Sequence, residues 1–174
     1  MSLVRPMDSR RDLAALRGLW HEYLAWGNDQ LALHYGLRLG EAGAMTDESL
    51  AHLDDFAPPQ GCLLLAETAD GLMGSIALRP SVPGTAEVKR LYVRPAARGL
   101  GLGQALVAAA LQAARAAGYA SVRLDSARFM AAAHALYRQH GFIEAAPYAE
   151  SEVPEKYWQH WVFMQCPLTP PALA

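Results

Sequence analysis

Residues 98–106 read Arg-Gly-Leu-Gly-Leu-Gly-Gln-Ala-Leu. Three glycines at alternate positions follow an arginine, and a stretch rich in alanine and leucine begins directly behind them. Glycine lets the backbone approach a ligand closely and adopt positive φ. A helix start behind such a loop offers unpaired N–H groups and the positive end of the helix dipole. Together these favour an anion, above all a phosphate. A Walker A loop needs Gly-Lys-Ser/Thr, and the chain has Gly103-Gln104-Ala105. The dinucleotide pattern G-x-G-x-x-G fails from Gly99, where its last glycine falls on Gln104. It fails from Gly101 too, where that glycine falls on Leu106, although Asp125 stands at a suitable distance downstream. Arg-x-x-Gly-x-Gly is met by Arg98, Gly101 and Gly103. On its own the loop leaves open a glycine-rich turn that binds nothing.

The flanking patterns predict what positions this loop. The chain opens with a short strand and a turn at Pro6-Met7-Asp8. A helix follows with Leu13, Leu16, Trp20 and Tyr23 or Leu24 at helical spacing, capped by Asp8 or Ser9. Residues 27–43 show no clear period. Residues 45–56 predict a second helix, with Thr46 as its N-cap and Met45 stapled against Leu50. Strands are expected over 62–68 and 72–80, joined by Ala69-Asp70-Gly71, and over 85–93 after a Pro-Gly turn. Residues 101–117 form one apolar stripe of Leu102, Leu106, Val107, Ala110, Leu111 and Ala114, stopped by Gly118. An alternating strand over 120–125, a helix over 129–141 and strands over 142–148 and 158–166 complete the chain. The order β-α-α-β-β-β-α-β-α-β-β predicts an α/β fold with a mixed sheet and helices on both faces. The unit from 85 to 125 should be a right-handed parallel crossover.

Composition sets outer bounds. With 174 residues, 52% hydrophobic and 18% charged, the chain has enough apolar material for one well-packed domain. A net charge of −2 argues against a general nucleic-acid binder. No apolar run is long enough for a membrane span, and residues 1–12 lack the apolar core of a signal peptide. Cys62 and Cys166 read as two buried thiols in a reducing compartment, so a cytoplasmic protein without disulfides is expected. No spacing of His, Asp or Glu suggests a metal site, and His134, His140 and His160 read as surface histidines. The pair Asp125-Ser126 lacks the Gly-x-Ser-x-Gly elbow of a serine hydrolase.

The stretch AEVKRLYVRPAARGLGLGQALVAAALQAARAAGY, followed by ALYRQHGF, resembles the GNAT superfamily, the GCN5-related N-acetyltransferases. Residues 60–145 carry the resemblance: a strand ending Leu-Tyr-Val, the Arg-x-x-Gly-x-Gly loop, and a helix ending Leu-Tyr-x-x-x-Gly-Phe. It implies a mostly antiparallel sheet of six or seven strands with about four helices. A single domain over 2–168 and a C-terminal tail over 169–174 are expected. The resemblance also implies a splayed parallel pair, here the strands ending at Val93 and Asp125, that opens the acyl-CoA cleft. Acetyl-CoA is the implied co-substrate, with no metal. Its pyrophosphate would sit on the amides of Arg98, Gly99, Leu100, Gly101, Leu102 and Gly103, and its pantetheine arm along Leu91, Tyr92 and Val93. The Val93 N–H would polarise the thioester carbonyl, Glu87 would be the base and Tyr137 the acid toward the CoA sulfur. Ala133 fits the small position four residues before that tyrosine. Met130 departs from the pattern, which usually has an asparagine there to bond the pantetheine. Arg90, Arg94 and Arg98 are candidates for the CoA phosphates.

The acceptor side is the variable part of this superfamily. Here it offers Trp20, Tyr23, Trp26, His34, Tyr35, Tyr148, Tyr157, Trp158 and Trp161, which suit a small amine with an apolar or cationic part. Asp54, Asp55, Glu150 and Glu152 could attract a cation. The expected activity is acetyl transfer to a small amine by direct attack, since neither cysteine lies near the motifs. A non-catalytic acyl-CoA-binding regulator and a protein or peptide N-terminal acetyltransferase are the alternatives. The acceptor, the use of longer acyl-CoAs and a possible homodimer stay open, and no membrane partner is expected.

Overall fold

A computed structural model describes residues 3–168; residue 2 and the expected tail 169–174 lie outside the described residues. The elements are β1 (Leu3–Pro6), α1 (Ser9–Tyr35), α2 (Ala42–Ala51), β2 (Cys62–Thr68), β3 (Gly71–Val82), β4 (Thr85–Val93), α3 (Leu102–Ala116), β5 (Ser121–Ala127), α4 (Ala131–Gln139), β6 (Ile143–Glu144) and β7 (Trp161–Pro167). The fold is mixed α/β, with one seven-stranded sheet in the order β1-β2-β3-β4-β5-β7-β6. Every neighbouring pair is antiparallel except β4–β5. Alternate side chains of β2 feed two cores. Leu63 and Leu65 pack with Leu16, Leu19 and Trp20 of α1 on one face. Leu64 and Ala66 pack with Leu102, Leu106, Val107 and Leu111 of α3 on the other, as the two-residue period of a strand requires.

Several local expectations are corrected. α1 runs on into the stretch without a clear period and ends at Tyr35, closed by Gly36 at φ 67. The N-cap of α2 lies five residues earlier than expected: Glu41 caps it by accepting from the N–H groups of Gly43 and Ala44. Thr46 is therefore inside the helix, donating to the Ala42 carbonyl at 2.6 Å. β5 does not alternate, because helices and the segment before β7 cover both its faces; only Asp125 in it is not fully buried. β6 shrinks to two exposed residues, and residues 145–160 form a largely irregular segment ahead of β7.

Two backbone features open a gap in the sheet centre. β4 and β5 pair only at Thr85–Ser121, Ala86–Val122 and Glu87–Arg123, although β4 continues to Val93 and β5 to Ala127. Beyond Glu87 the two strands separate, while β5 stays paired with β7 up to Ala127–Trp161. β4 also bulges. Its register against β3 passes from Ala77–Lys89 to Ser75–Tyr92, so β4 holds one extra residue there. Arg90 sits in that bulge at φ 56.

Candidate active site

The splay leads into a cleft of about 790 Å³ bounded by α1, α2, the open edge of β4, β5, α4 and the segment 152–157. Beyond the cleft-lining Leu91, β4 ends at Val93 and leads into the glycine loop ahead of α3. Gly99 and Gly101 adopt φ 81 and 78, which explains glycine at these two positions. Gly103 has a different reason: a Cβ there would stand 3.0 Å from Leu136, so it lets α3 approach α4. No side chain caps α3 and no acid sits in its first turn, so its leading N–H groups are free for an anion. Arg98 lies over the Trp26 ring at 5.9 Å with Nε donating to the Val93 carbonyl at 3.3 Å. The other two arginines are engaged elsewhere. Arg94 forms a two-pronged pair with Glu22 at 2.6 and 2.8 Å, and Arg90 reaches Ser49 in α2.

Along the edge of β4, Leu91 lines the cleft, Tyr92 is buried against α1, and Val93 ends the strand opposite Gly74. From α4, Met130, Ala133 and Tyr137 line the opposite wall at helical spacing. The Tyr137 hydroxyl has no hydrogen-bond partner among the described residues. Burial, reinforced by Tyr23 and the Asp125 charge, pushes its pKa far above that of an ordinary phenol, so it stays protonated. Tyr23 lines the cleft from α1 with its own pKa raised, chiefly by burial.

Glu87 does not face the cleft, contrary to the sequence-based expectation. The register sets it directly opposite Arg79 on β3 and beside Arg123 on β5, and it is 1% exposed. Its Oε2 accepts from Arg79 Nε at 3.0 Å; its Oε1 accepts from Tyr148 at 2.8 Å and lies 3.0 Å from Lys89 Nζ. Of the carboxylates on β4 and β5, Asp125 is the one that reaches the cleft. Its Oδ2 accepts from Lys89 at 3.1 Å, Ser151 at 3.0 Å and Tyr148 at 3.3 Å, whereas Oδ1 takes none of these bonds. Lys89 sits between Glu87, Asp125 and Glu152. Burial alone would lower its pKa, but Asp125, Glu87 and Glu152 outweigh that and hold it charged. Glu152 is held ionised in the same way, with burial overcome by Lys89, Arg90 and Arg79.

His134 is a second correction. It is buried, with Nε2 3.0 Å from the Ser126 hydroxyl, and Ser126 lines the cleft. Burial, then Arg138, lowers its pKa below that of a free histidine, so the ring is neutral at pH 7. Of the nine aromatic and histidine residues expected on the acceptor side, Tyr23, Tyr157 and Trp161 line the cleft. Trp20 is wholly buried and donates to Ser75 at 3.1 Å, and Trp158 donates to the Val153 carbonyl. Asp55 and Glu152 face the cleft, while Asp54 and Glu150 border a smaller recess beside Glu87. Neither cysteine lines the cleft. Asp125 and the placing of Arg90 escaped the sequence reading. The one available signal was Asp125 two residues after Arg123, on the face shared with Glu87.

Comparison with known proteins agrees with this geometry. Residues 21–142 match the model of the Acetyltransferase (GNAT) family. An uncharacterized N-acetyltransferase of Schizosaccharomyces pombe is 39% identical over 111 residues, covering 62% of this chain and 68% of that protein. A mycothiol acetyltransferase of Beutenbergia cavernae is 35% identical over 137 residues, which are 77% of this chain but 44% of that longer protein. Among solved structures, the PaiA N-acetyltransferase of Thermoplasma acidophilum, in complex with coenzyme A, superposes with a TM-score of 0.72 at 20% identity. That superposition covers 97% of this chain and 99% of the other. A GNAT-family acetyltransferase of Staphylococcus aureus gives 0.73 at 14% identity, over 97% and 100% of the two chains. The family match spans well over half of the sequence and the fold agrees along nearly all of it: the chain belongs to the GNAT family of acetyltransferases.

Proposed function

We propose that the chain is an acetyl-CoA-dependent N-acetyltransferase that moves an acetyl group to the amine of a small acceptor by direct attack. One observation carries this reading. A carboxylate with a free oxygen and an unpartnered phenol line one cleft along an open strand edge, and that strand runs on through Val93 towards an uncapped, glycine-shaped helix start. The amides from Arg98 to Gly103 suit the pyrophosphate, and the unpaired edge from Leu91 to Val93 suits an extended arm with amide groups. The Val93 N–H is the candidate donor to the thioester oxygen. Asp125, rather than Glu87, is the carboxylate positioned to accept the amine proton, directly or through a water. Glu87 works one layer back, holding Lys89 and Arg79 in place. Tyr137, kept protonated by burial, donates to the departing thiolate. The absence of a cysteine from the cleft supports direct attack over an acyl-enzyme.

α2 and the segment 152–157 line the acceptor side of the cleft, and a protein or peptide acceptor is the alternative to a small amine. The experiment is thiol release from acetyl-CoA across a panel of amines, alongside calorimetric binding of coenzyme A. Turnover with at least one small amine is the expected result. Tight coenzyme A binding without turnover for any amine or peptide would replace this reading with that of a non-catalytic acyl-CoA-binding regulator.

A further inference from the structure

Five arginines are largely withdrawn from solvent, and four have a carboxylate at hydrogen-bond distance. Arg5 has Asp12 and Glu67, both at 2.6 Å; Arg79 has Glu87 at 2.9 Å; Arg94 has Glu22 at 2.6 Å; Arg123 has Glu150 at 3.0 Å. Arg90 is the exception. Its side chain is 20% exposed, and its nearest carboxylate oxygen, Glu152 Oε2, stands at 3.9 Å. That carboxylate already serves Arg79 at 2.9 Å and Lys89 at 3.7 Å. Arg90 donates one bond to a neutral group, Ser49 Oγ, at 2.9 Å. Its Nε is the one buried side-chain nitrogen or oxygen without a partner among the described residues. Withdrawing a guanidinium from water and leaving its donors unused is costly, so such a group on a ligand cleft calls for an anion.

The surroundings hold Arg90 in place at some expense. Its φ of 56 is strained for a residue with a Cβ. Ser75 donates to the Arg90 carbonyl at 3.0 Å, and Trp20 in turn donates to Ser75. Ser49 accepts from the guanidinium while giving its own proton to the Met45 carbonyl at 2.8 Å. Tyr23 lines the same cleft, and its hydroxyl has no partner among the described residues. Arg90 is fixed against α2, not beside the glycine loop, so coenzyme A phosphates are not its partner. The central cluster is neutral, with Arg79, Lys89 and Arg90 against Glu87, Asp125 and Glu152. A ligand bringing one carboxylate and one amine keeps that balance, where a simple cation or anion would upset it.

We propose that Arg90, with the Tyr23 hydroxyl, forms a carboxylate-binding subsite beside Asp125, so that the acceptor is an amino acid bearing a free carboxylate. This rests on the acetyltransferase reading above and narrows its acceptor. Asp125 faces the amine end, Arg90 the carboxylate end, and Tyr157 and Trp161 offer apolar surface to the side chain.

The test compares acetyl transfer to the L-amino acids with transfer to their carboxamides and to simple primary amines. At least one amino acid should exceed its carboxamide by 10-fold or more in kcat/KM, and Arg90→Gln should bring that ratio close to one, with Arg90→Lys in between. A second measurement needs no variant: 3-phenylpropanoate should compete with the acceptor at a concentration where 3-phenylpropanamide does not. Carboxamides or simple amines used as well as the acids, or a ratio unmoved in Arg90→Gln, would overturn the carboxylate subsite and leave the transferase reading standing. No turnover with any amine despite coenzyme A binding would strike down both.

Discussion

Two clusters of withdrawn charge sit on this one sheet, and they are built to different ends. At the β1 edge, Arg5 bridges Asp12 of α1 and Glu67 of β2 through four short hydrogen bonds of 2.6 to 2.9 Å. Asp12 also accepts from the Asp8 N–H at 2.8 Å, so it ties the first turn of α1 to the sheet. Every member is closed off by a partner of opposite sign. In the β4–β5 gap the cluster of Arg79, Glu87, Lys89, Asp125 and Glu152 is equally dense, yet it ends in two open positions, Oδ1 of Asp125 and the guanidinium of Arg90. The closed cluster holds elements together. The open one leaves groups whose remaining partners, in the proposed function, arrive with the acceptor.

The contrast can be broken in activity at the open cluster and in stability at the closed one. Asp125→Asn should lower turnover about 100-fold, roughly 2.7 kcal/mol in the barrier, because an amine is almost wholly protonated at pH 7 and needs its proton removed. Steady-state thiol release checks this, and a loss confined to stability would return Asp125 to a purely structural role. Tyr137→Phe should cost less, about 30-fold in kcat, because a thiolate already leaves well without a proton. An unchanged kcat in single-turnover experiments would remove Tyr137 from the acid role.

The closed cluster should answer in stability. Asp12→Asn leaves Arg5 short of a charge and should cost about 3 kcal/mol in urea unfolding. The Arg5 hydrogen bond above all, outweighing burial, holds the Asp12 pKa well below the usual carboxylate range. A depressed carboxylate stabilises the fold above its unfolded pKa of about 4 and loses that contribution as pH falls. Wild type should therefore lose stability in acid more steeply than Asp12→Asn, and parallel curves would contradict the assignment. His134 should show a smaller slope at higher pH. Its folded pKa is lowered, so below about 6.5 the unfolded chain binds the proton more readily and stability falls. His134→Gln should flatten stability between pH 6.5 and 5; a slope of wild-type size in that variant would place the titration elsewhere. The exposed pair Arg17–Asp47, at 2.6 Å but more than half exposed on both sides, should be worth under about 0.5 kcal/mol in a double-mutant cycle.

The chain order of strands and helices was legible because each long element carries a clean period, as in the α3 stripe of Leu102, Leu106, Val107 and Leu111. Gly99 and Gly101 were legible because a positive φ admits little else. Errors gathered where local signals compete with packing. Thr46 looked like a cap and is inside a helix. His134 looked exposed because its helix is short and rich in alanine, yet it faces β5. Residues 142–148 have strand-forming side chains but find only a two-residue pairing with β7.

By itself the sequence determined the glycine loop and the start of α3, which form the donor half of the proposed site. A pyrophosphate-type seat is made of backbone amides, and backbone conformation is written in the spacing of glycines and the start of a helix. The acceptor half was decided by the tertiary structure. Glu87, Lys89, Arg90 and Asp125 are four charged residues on two strands, and nothing local says which of them neutralise one another. The Arg79–Glu87 register, the early end of β4–β5 pairing and the bulge at Arg90 settle that. They bury Glu87 behind Lys89, bring Asp125 to the cleft and leave Arg90 without a close carboxylate, because charge pairing depends on distances that only the folded sheet sets.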